Sequence, residues 1–380
     1  MASNPIETSS EQGLASAPVD AELALPDSLA QDVTGSPELD LAPRRRRQSR
    51  GLWYEAGRDL VTRRRSGQVG LAIVLILISI ALLAPILATH NPNDVLIGKE
   101  EGLKRRQAPC IYALSNLPDV PILNFFKCEP GQPEHYFGTD GNGRDLYSRV
   151  LYGARVSLKA GIYTVTLAVF VGMFFGAIAG YLGAIYDNAL MRVMDVLLAF
   201  PALILAIAIN SALLQVAEDS FFSRGLNFMQ RAFGFEDIGL LTALISIAIV
   251  SIPTYARVVR SQVLSIKEQE YVTAARAVGA KHNRILFRAI LPNATAPLIV
   301  AATLGIATAI LDTAALSFLG LGAQPPTAEW GAMIGAERNQ MFTSPHLILF
   351  PGLAIVITVL AFNLLGDGLR DSLDPRMKNR

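Results

Sequence analysis

Apolar residues along this chain gather into blocks near twenty residues long, parted by polar segments. The blocks fall at roughly 70–89, 158–182, 190–214, 239–259, 294–315 and 347–367. A helix rises about 1.5 Å per residue, so roughly 20 apolar residues cross a hydrocarbon core about 30 Å thick. The pattern predicts an all-α membrane protein with six transmembrane helices. Pro201 in the third block and Pro253 in the fourth remove backbone donors and are expected to interrupt and bend those spans. Gly172, Gly176 and Gly180 make a smooth ridge on the second span. That ridge suits close approach of another helix, either within the subunit or across a subunit seam.

Composition agrees with the pattern. Of 380 residues, 51% are hydrophobic and only 17% charged, with a mean hydropathy of +0.37. A net charge of +1 argues against a nucleic-acid partner, which selects for a marked basic excess. Arg63, Arg64 and Arg65 precede the first span, which places the N-terminus in the cytoplasm by the positive-inside rule. Six crossings return the C-terminus to the same side, and Arg370, Arg376, Lys378 and Arg380 agree. The segment between spans four and five then also faces inward, with Arg257, Arg260, Lys267, Arg276, Lys281, Arg284 and Arg288.

Residues 1–43 hold no Lys or Arg and eight Asp or Glu. Such a segment buries too little apolar surface to offset its ordering entropy, so a disordered cytoplasmic tail is expected over 1–50. An interfacial helix follows within 51–69, with Leu52, Trp53, Leu60 and Val61 toward lipid or protein. A short cytoplasmic tail closes the chain at 368–380. Between the first two spans, residues 90–157 are long for a connector and predict a small extracytoplasmic lobe. Cys110 and Cys128, the only cysteines, both fall there. They either remain thiols or form a bridge, and the compartment favours the bridge.

No nucleotide-binding or catalytic signature occurs in the chain. It is read as a non-enzyme with no catalytic residue, and any ATP it depends on must bind elsewhere. The four histidines, His90, His135, His282 and His346, lie apart with no metal-ligand spacing. The loop FGTDGNGRDLYSR resembles a calcium loop until counted: from Asp140 the sixth and twelfth positions are Asp145 and Leu151, not Gly and Glu. A turn that caps a helix, with Asp145 near the N-terminus, is the expectation, with no metal. Asp195, Asn210, Asp312 and Asn363 are polar side chains within or near spans.

The segment EYVTAARAVGAKHNRILFRAILPN, residues 270–293, is polar yet lies between two spans. Periodicity predicts a helix over about 266–278, broken at Gly279, and a second piece that ends at Pro292. Tyr271, Ala274, Ala275 and Val278 share one face, flanked by Glu270, Arg276 and Lys281. Small groups permit close approach, and Gly279 supplies a left-handed C-terminal cap. A helix resting on lipid headgroups would instead favour large apolar groups. A knob for a partner's groove is the expectation.

These residues resemble the EAA loop of the permease subunits of ABC importers: E-A-A, three residues, Gly, nine residues, Ile, one residue, Leu-Pro. Ala274, Ala275, Gly279, Leu291 and Pro292 match. Thr273 stands at the Glu position and Ala289 at the Ile position. HYFGTDGNGRDLYSRVLYGARVSL (135–158) and SFLGLGAQPPTAEWGAMI (317–334) are similar to segments of C-type dipeptide, oligopeptide and nickel permeases. Together the resemblance covers about residues 67–375. It implies a type I importer permease fold in a bacterial cytoplasmic membrane, with core helices over 158–367 and a coupling loop over 262–292. It further implies a homologous B-type permease, two ATPase subunits that carry ATP and Mg, and an extracytoplasmic solute-binding protein, all in membrane lipid. Coupling is assigned to Glu270, Tyr271, Ala274, Ala275, Arg276, Gly279, Leu291 and Pro292. Asp140, Arg144, Asp145, Gln324, Pro325, Pro326 and Trp330 are candidates for an outer gate or a contact with the binding protein. The implied cargo is a di- or oligopeptide; nickel or another metal chelate is the alternative, and an ATP-independent carrier or channel a more distant one.

Overall fold

The computed structural model describes residues 57–60, 65–115, 124–216, 221–235 and 237–373, all within one compact unit, Arg50–Arg380. The expectations for the tail 1–50, for residues 374–380 of the tail 368–380, and for most of the helix within 51–69 lie outside the described residues; residues 368–373 correct the tail's start, since the last helix continues to Leu373.

The described residues carry helices and no strand, only isolated bridge pairs. The main helices are α1 Arg65–Leu87, α2 Leu146–Leu182, α3 Ala184–Leu198, α4 Ala202–Val216, α5 Phe221–Phe233 and α6 Ile238–Lys267. They continue with α7 Glu270–Ala277, α8 Leu291–Phe318, α9 Trp330–Glu337 and α10 His346–Leu373. Five helical stretches are long and apolar enough to cross a membrane, and α3 with α4 counts as a sixth if the pair is one span. That pair corrects the single bent span expected over 190–214, because its halves meet at 95°. Pro201 stands at the break and takes one donor from the ladder. α3 is then held to α6 by Arg257, whose Nη2 donates to Asp195 at 2.5 Å, and by Arg260, which pairs with Asp187.

Pro253 does not have the effect expected of it: α6 runs unbroken through it for 30 residues. The second span also starts earlier than expected, at Leu146, so the lobe ends at Asp145 rather than 157. Asp145 sets that start, since its carboxylate accepts from Ser148 N at 2.8 Å.

The glycine ridge is used within the chain. A Cβ added at Gly172 would stand 2.7 Å from Tyr255 Cβ, and one at Gly180 2.9 Å from Val263 Cβ, so α2 and α6 approach almost backbone to backbone. α1 and α10 pack together, and α8 packs on α2, α6 and α10. One apolar cluster joins α1, α2, α8, α9 and α10 through Leu77, Leu158, Ile310, Trp330 and Phe362. A second joins α2, α6, α7 and α8. Helix α2 alone spans roughly 55 Å at 1.5 Å per residue, so the lobe at its start and the 270–293 segment at its end are well separated.

Candidate functional site

The first helix of the 270–293 segment is built on one buried anchor. α6 ends at Lys267, and α7 begins after Glu268 and Gln269, so the helix expected over 266–278 is two helices. Val272 is fully buried and packs with Val263, Ile266, Ile285 and Ile290. The opposite face is open: Glu270, Tyr271, Ala274 and Arg276 are exposed, Ala275 is half-buried, and Val278 is 85% exposed. Gly279 has φ +78° with no atom near a would-be Cβ, so its left-handed backbone, and not crowding, calls for glycine.

The chain then turns through His282–Ile285 and enters α8 without stopping at Pro292, contrary to expectation. Residues Leu286–Ile290 form a π-turn just before the proline. Pro292 can donate no hydrogen bond and its ring crowds the carbonyl four residues back; a wider turn accommodates both. Leu291 is half-buried and Pro292 exposed. Tyr271 closes the segment on itself, its hydroxyl donating to Ala289 O at 3.2 Å. From α2, the Tyr181 hydroxyl lies 2.8 Å from His282 Nδ1, and Lys267 Nζ donates to Tyr181 O at 3.1 Å. Motion of α7 thus has solid contacts into α2, α6 and α8.

At the far end, the motif residues are mostly inside. Asp140, Arg144, Asp145 and Trp330 are all under one tenth exposed. Their side chains are thus turned mostly into the protein rather than spread on its surface. Asp140 accepts from Arg144 Nε at 2.7 Å and from the backbone of Asn142 and Arg144 at 2.9 Å, with Arg149 Nε at 3.5 Å. Trp330 is the first residue of α9 and donates from its indole to Val150 O at 3.0 Å. Glu337 clamps α9 to the lobe, accepting from Gly141 N at 2.7 Å and Arg106 Nε at 2.9 Å.

Gln324, Pro325 and Pro326 are exposed, as an outer contact requires. Asp140, Arg144, Gln324 and Pro325 line one cleft of about 230 Å³ with Glu337 and Arg338; Asp145, Pro326 and Trp330 do not line it. Glu329, which no sequence signal singled out, is fully buried as the N-cap of α9 and accepts from Ala332 N and Ser157 Oγ. Burial outweighs those donors and holds its carboxyl above the usual range.

Cys110 and Cys128 are bonded to each other, and Cys110 N donates to His135 O at 2.8 Å. That fold-back corrects the reading of the histidines as scattered: the rings of His90 and His135 stand 5.2 Å apart. His135 Nδ1 is 2.8 Å from Asp145 and its Nε2 is 3.1 Å from Glu100. Burial would push the His135 imidazole down, but the bonds and charges of Asp145 and Glu100 hold it above its ordinary value. Burial would likewise raise Asp145, yet His135 and Ser148 keep it below the usual carboxylate range.

The chain is similar in sequence to known proteins. The family described as the binding-protein-dependent transport system inner membrane component matches residues 172–379. The N-terminal TM domain of oligopeptide transport permease C matches residues 51–109. The dipeptide transport system permease protein DppC of Alkalihalophilus pseudofirmus is 41% identical over 327 residues, 86% of this chain and 91% of that protein. The glutathione transport system permease protein GsiD of Escherichia coli is 38% identical over 331 residues, 87% of this chain and 93% of that protein. A chain of the MetNI methionine ABC transporter, solved in inward-facing conformations, superposes with a TM-score of 0.45 at 18% identity, covering 59% of this chain and 96% of that one.

Proposed function

Because this chain belongs to the binding-protein-dependent inner-membrane permeases of ABC transporters, in their C-type peptide branch, we propose that its 270–293 segment is the element through which ATPase closure reaches the spans. The chain is a multi-pass permease subunit of a peptide importer. Relatives named for dipeptide and glutathione transport support peptide as cargo over nickel or another metal chelate. The assembly adds a homologous B-type permease, two ATPase chains that hold ATP and Mg, and an extracytoplasmic binding protein that delivers the peptide. With the α3–α4 pair taken as one span, this reading has six crossings, and the positive-inside pattern supports both termini and the 270–293 segment on the cytoplasmic side with the lobe outside.

One observation carries the reading of the segment: α7 is bare on its small-residue face and fully buried at Val272 behind it. A partner that seats over Ala274 and Val278 pushes on Val272, and Val272 shares a cluster with α2, α6 and α8. Transport follows by alternating access. ATP shifts the equilibrium only through its different affinity for the inward and outward arrangements.

Ala274→Trp places a large ring on the bare face without touching the anchor. Peptide uptake by the reconstituted assembly falls by about thirtyfold or more, since loss of a central contact costs about 2 kcal/mol. The subunit still inserts. Uptake at the unaltered rate with the ring in place removes the docking role.

A further inference from the structure

We infer that His90, His135 and Glu100 form a zinc site that ties the lobe to the neighbouring ends of α1 and α2. Glu100 presents its two oxygens to two different imidazoles. His90 Nε2 lies 3.2 Å from Oε1, and His135 Nε2 lies 3.1 Å from Oε2. Ligand atoms about 2.0–2.1 Å from a tetrahedral zinc stand on the order of 3.3 Å from one another, which is the spacing of these two pairs. Both Nε2 atoms thus stand against the same carboxylate, each on its own oxygen.

The far side of each ring is held as metal-binding histidines are held. Asp145 takes His135 Nδ1 at 2.8 Å, and Thr89 Oγ1 stands 3.0 Å from His90 Nδ1. Thr89 is itself fixed, its hydroxyl donating to Asp145 Oδ2 at 3.2 Å, and His90 N donates to Ser148 Oγ at 3.0 Å. These contacts orient both rings and leave the Nε2 lone pairs for an ion. Asp145 stands on the Nδ1 side of both rings, with carboxylate oxygens within 4.8 Å of nitrogens of each, and acts as the shared orienting group.

Charge and access point the same way. Two carboxylates, Glu100 and Asp145, converge on two imidazoles, and a divalent cation neutralises the pair where a single imidazolium leaves a net negative charge. Imidazole nitrogen with carboxylate oxygen is a donor set for zinc, and harder calcium would prefer oxygens alone. His135 is fully buried, whereas the side chains of His90 and Glu100 are 28% exposed, so an ion enters from the lobe surface. The site staples residues just beyond the end of α1 to the cap of α2, a role separate from cargo and from the proposed ATPase contact.

The test uses the full-length, tag-free chain in its assembled complex, stripped with chelator, loaded with zinc chloride and dialysed. Metal content of the unaltered complex exceeds that of a complex carrying His90→Ala or Glu100→Gln by one zinc per chain. Cobalt(II) in place of zinc gives the intense visible bands of a tetrahedral site, and both variants lose them. Thr89→Val removes only an orienting contact and weakens zinc binding on the order of 10- to 100-fold, so a variant that fails to fold does not decide the matter. Equal zinc in unaltered, His90→Ala and Thr89→Val complexes, or no tetrahedral cobalt spectrum in the unaltered complex, overturns the inference.

Discussion

The two ends of the helical bundle carry the two most recognisable stretches of this chain, and they use them in opposite ways. At the lobe, Asp140, Arg144, Asp145 and Trp330 are buried and bonded to one another or to the backbone. At the 270–293 end, Glu270, Ala274, Arg276 and Val278 are exposed, and one valine holds the helix down. A motif of charged residues and glycines thus encodes architecture at one end and a bare surface at the other. What separates them is satisfaction: buried polar groups that already have partners have little left to offer a docking protein.

The largest effect that sharpens this contrast is expected at Asp140. Asp140→Ala leaves Arg144 and Arg149 inside the fold without their carboxylate, which destabilises by about 3–5 kcal/mol. Thermal unfolding of the purified subunit shifts downward and its abundance in membranes drops, while uptake per surviving molecule stays near normal. A fall in uptake at unchanged stability would return Asp140 to a direct role in transport. Second in size is the bridge. Cys110→Ser with Cys128→Ser frees a loop with a sequence separation of 18 and loosens the lobe by about 3 kcal/mol on the chain-entropy account. Limited proteolysis then cuts within the lobe first; an unchanged pattern in the double variant would mean that the lobe is held by its hydrogen bonds alone.

The same contrast explains how much could be read beforehand. The long helices were legible because length and apolarity are properties of a local stretch, and the turn at Asp145 because capping acts over three residues. The 95° break at Pro201 was not legible as an angle. Proline states only that a hydrogen bond is missing, and the direction is held by Arg257 and Arg260 reaching α3 from another helix. Trp330 stood among the outer-face candidates because it shares one motif with Gln324, Pro325 and Pro326; its burial comes from α2 and α8, which no local pattern reports. His90 and His135 looked unrelated since only the fold-back of the lobe, fastened at Cys110, brings them together.

At the other end the effects are smaller and fall on function. Gly279→Ala places a Cβ in a left-handed backbone, at about 1–2 kcal/mol, with no clash to add. Because α7 is short and anchored at a single residue, that strain shifts the orientation of the bare face more than it melts the bundle. The expected outcome is an unaltered unfolding midpoint with ATP hydrolysis partly uncoupled from uptake. A lowered midpoint with normal coupling would assign Gly279 to structure, as at the lobe, and erase the difference between the two ends.

The finest test is Thr273→Glu, which restores the acidic residue usual at this place in the related loops. Thr273 is exposed in the second half of α7's first turn, one helical turn before the exposed Arg276. A glutamate there meets Arg276 at a spacing that allows pairing and stands near the positive end of the helix. Glu270 already holds that end of the helix, however, so a second carboxylate adds little to it. The face beyond is made of Ala274 and Val278, and its fit is set by shape, not by charge. Uptake and ATP hydrolysis should therefore change by less than about twofold, in line with the small worth of a single exposed pair. A tenfold change in either direction would mean that the partner reads charge at residue 273, and that the bare face is an electrostatic contact as much as a steric one.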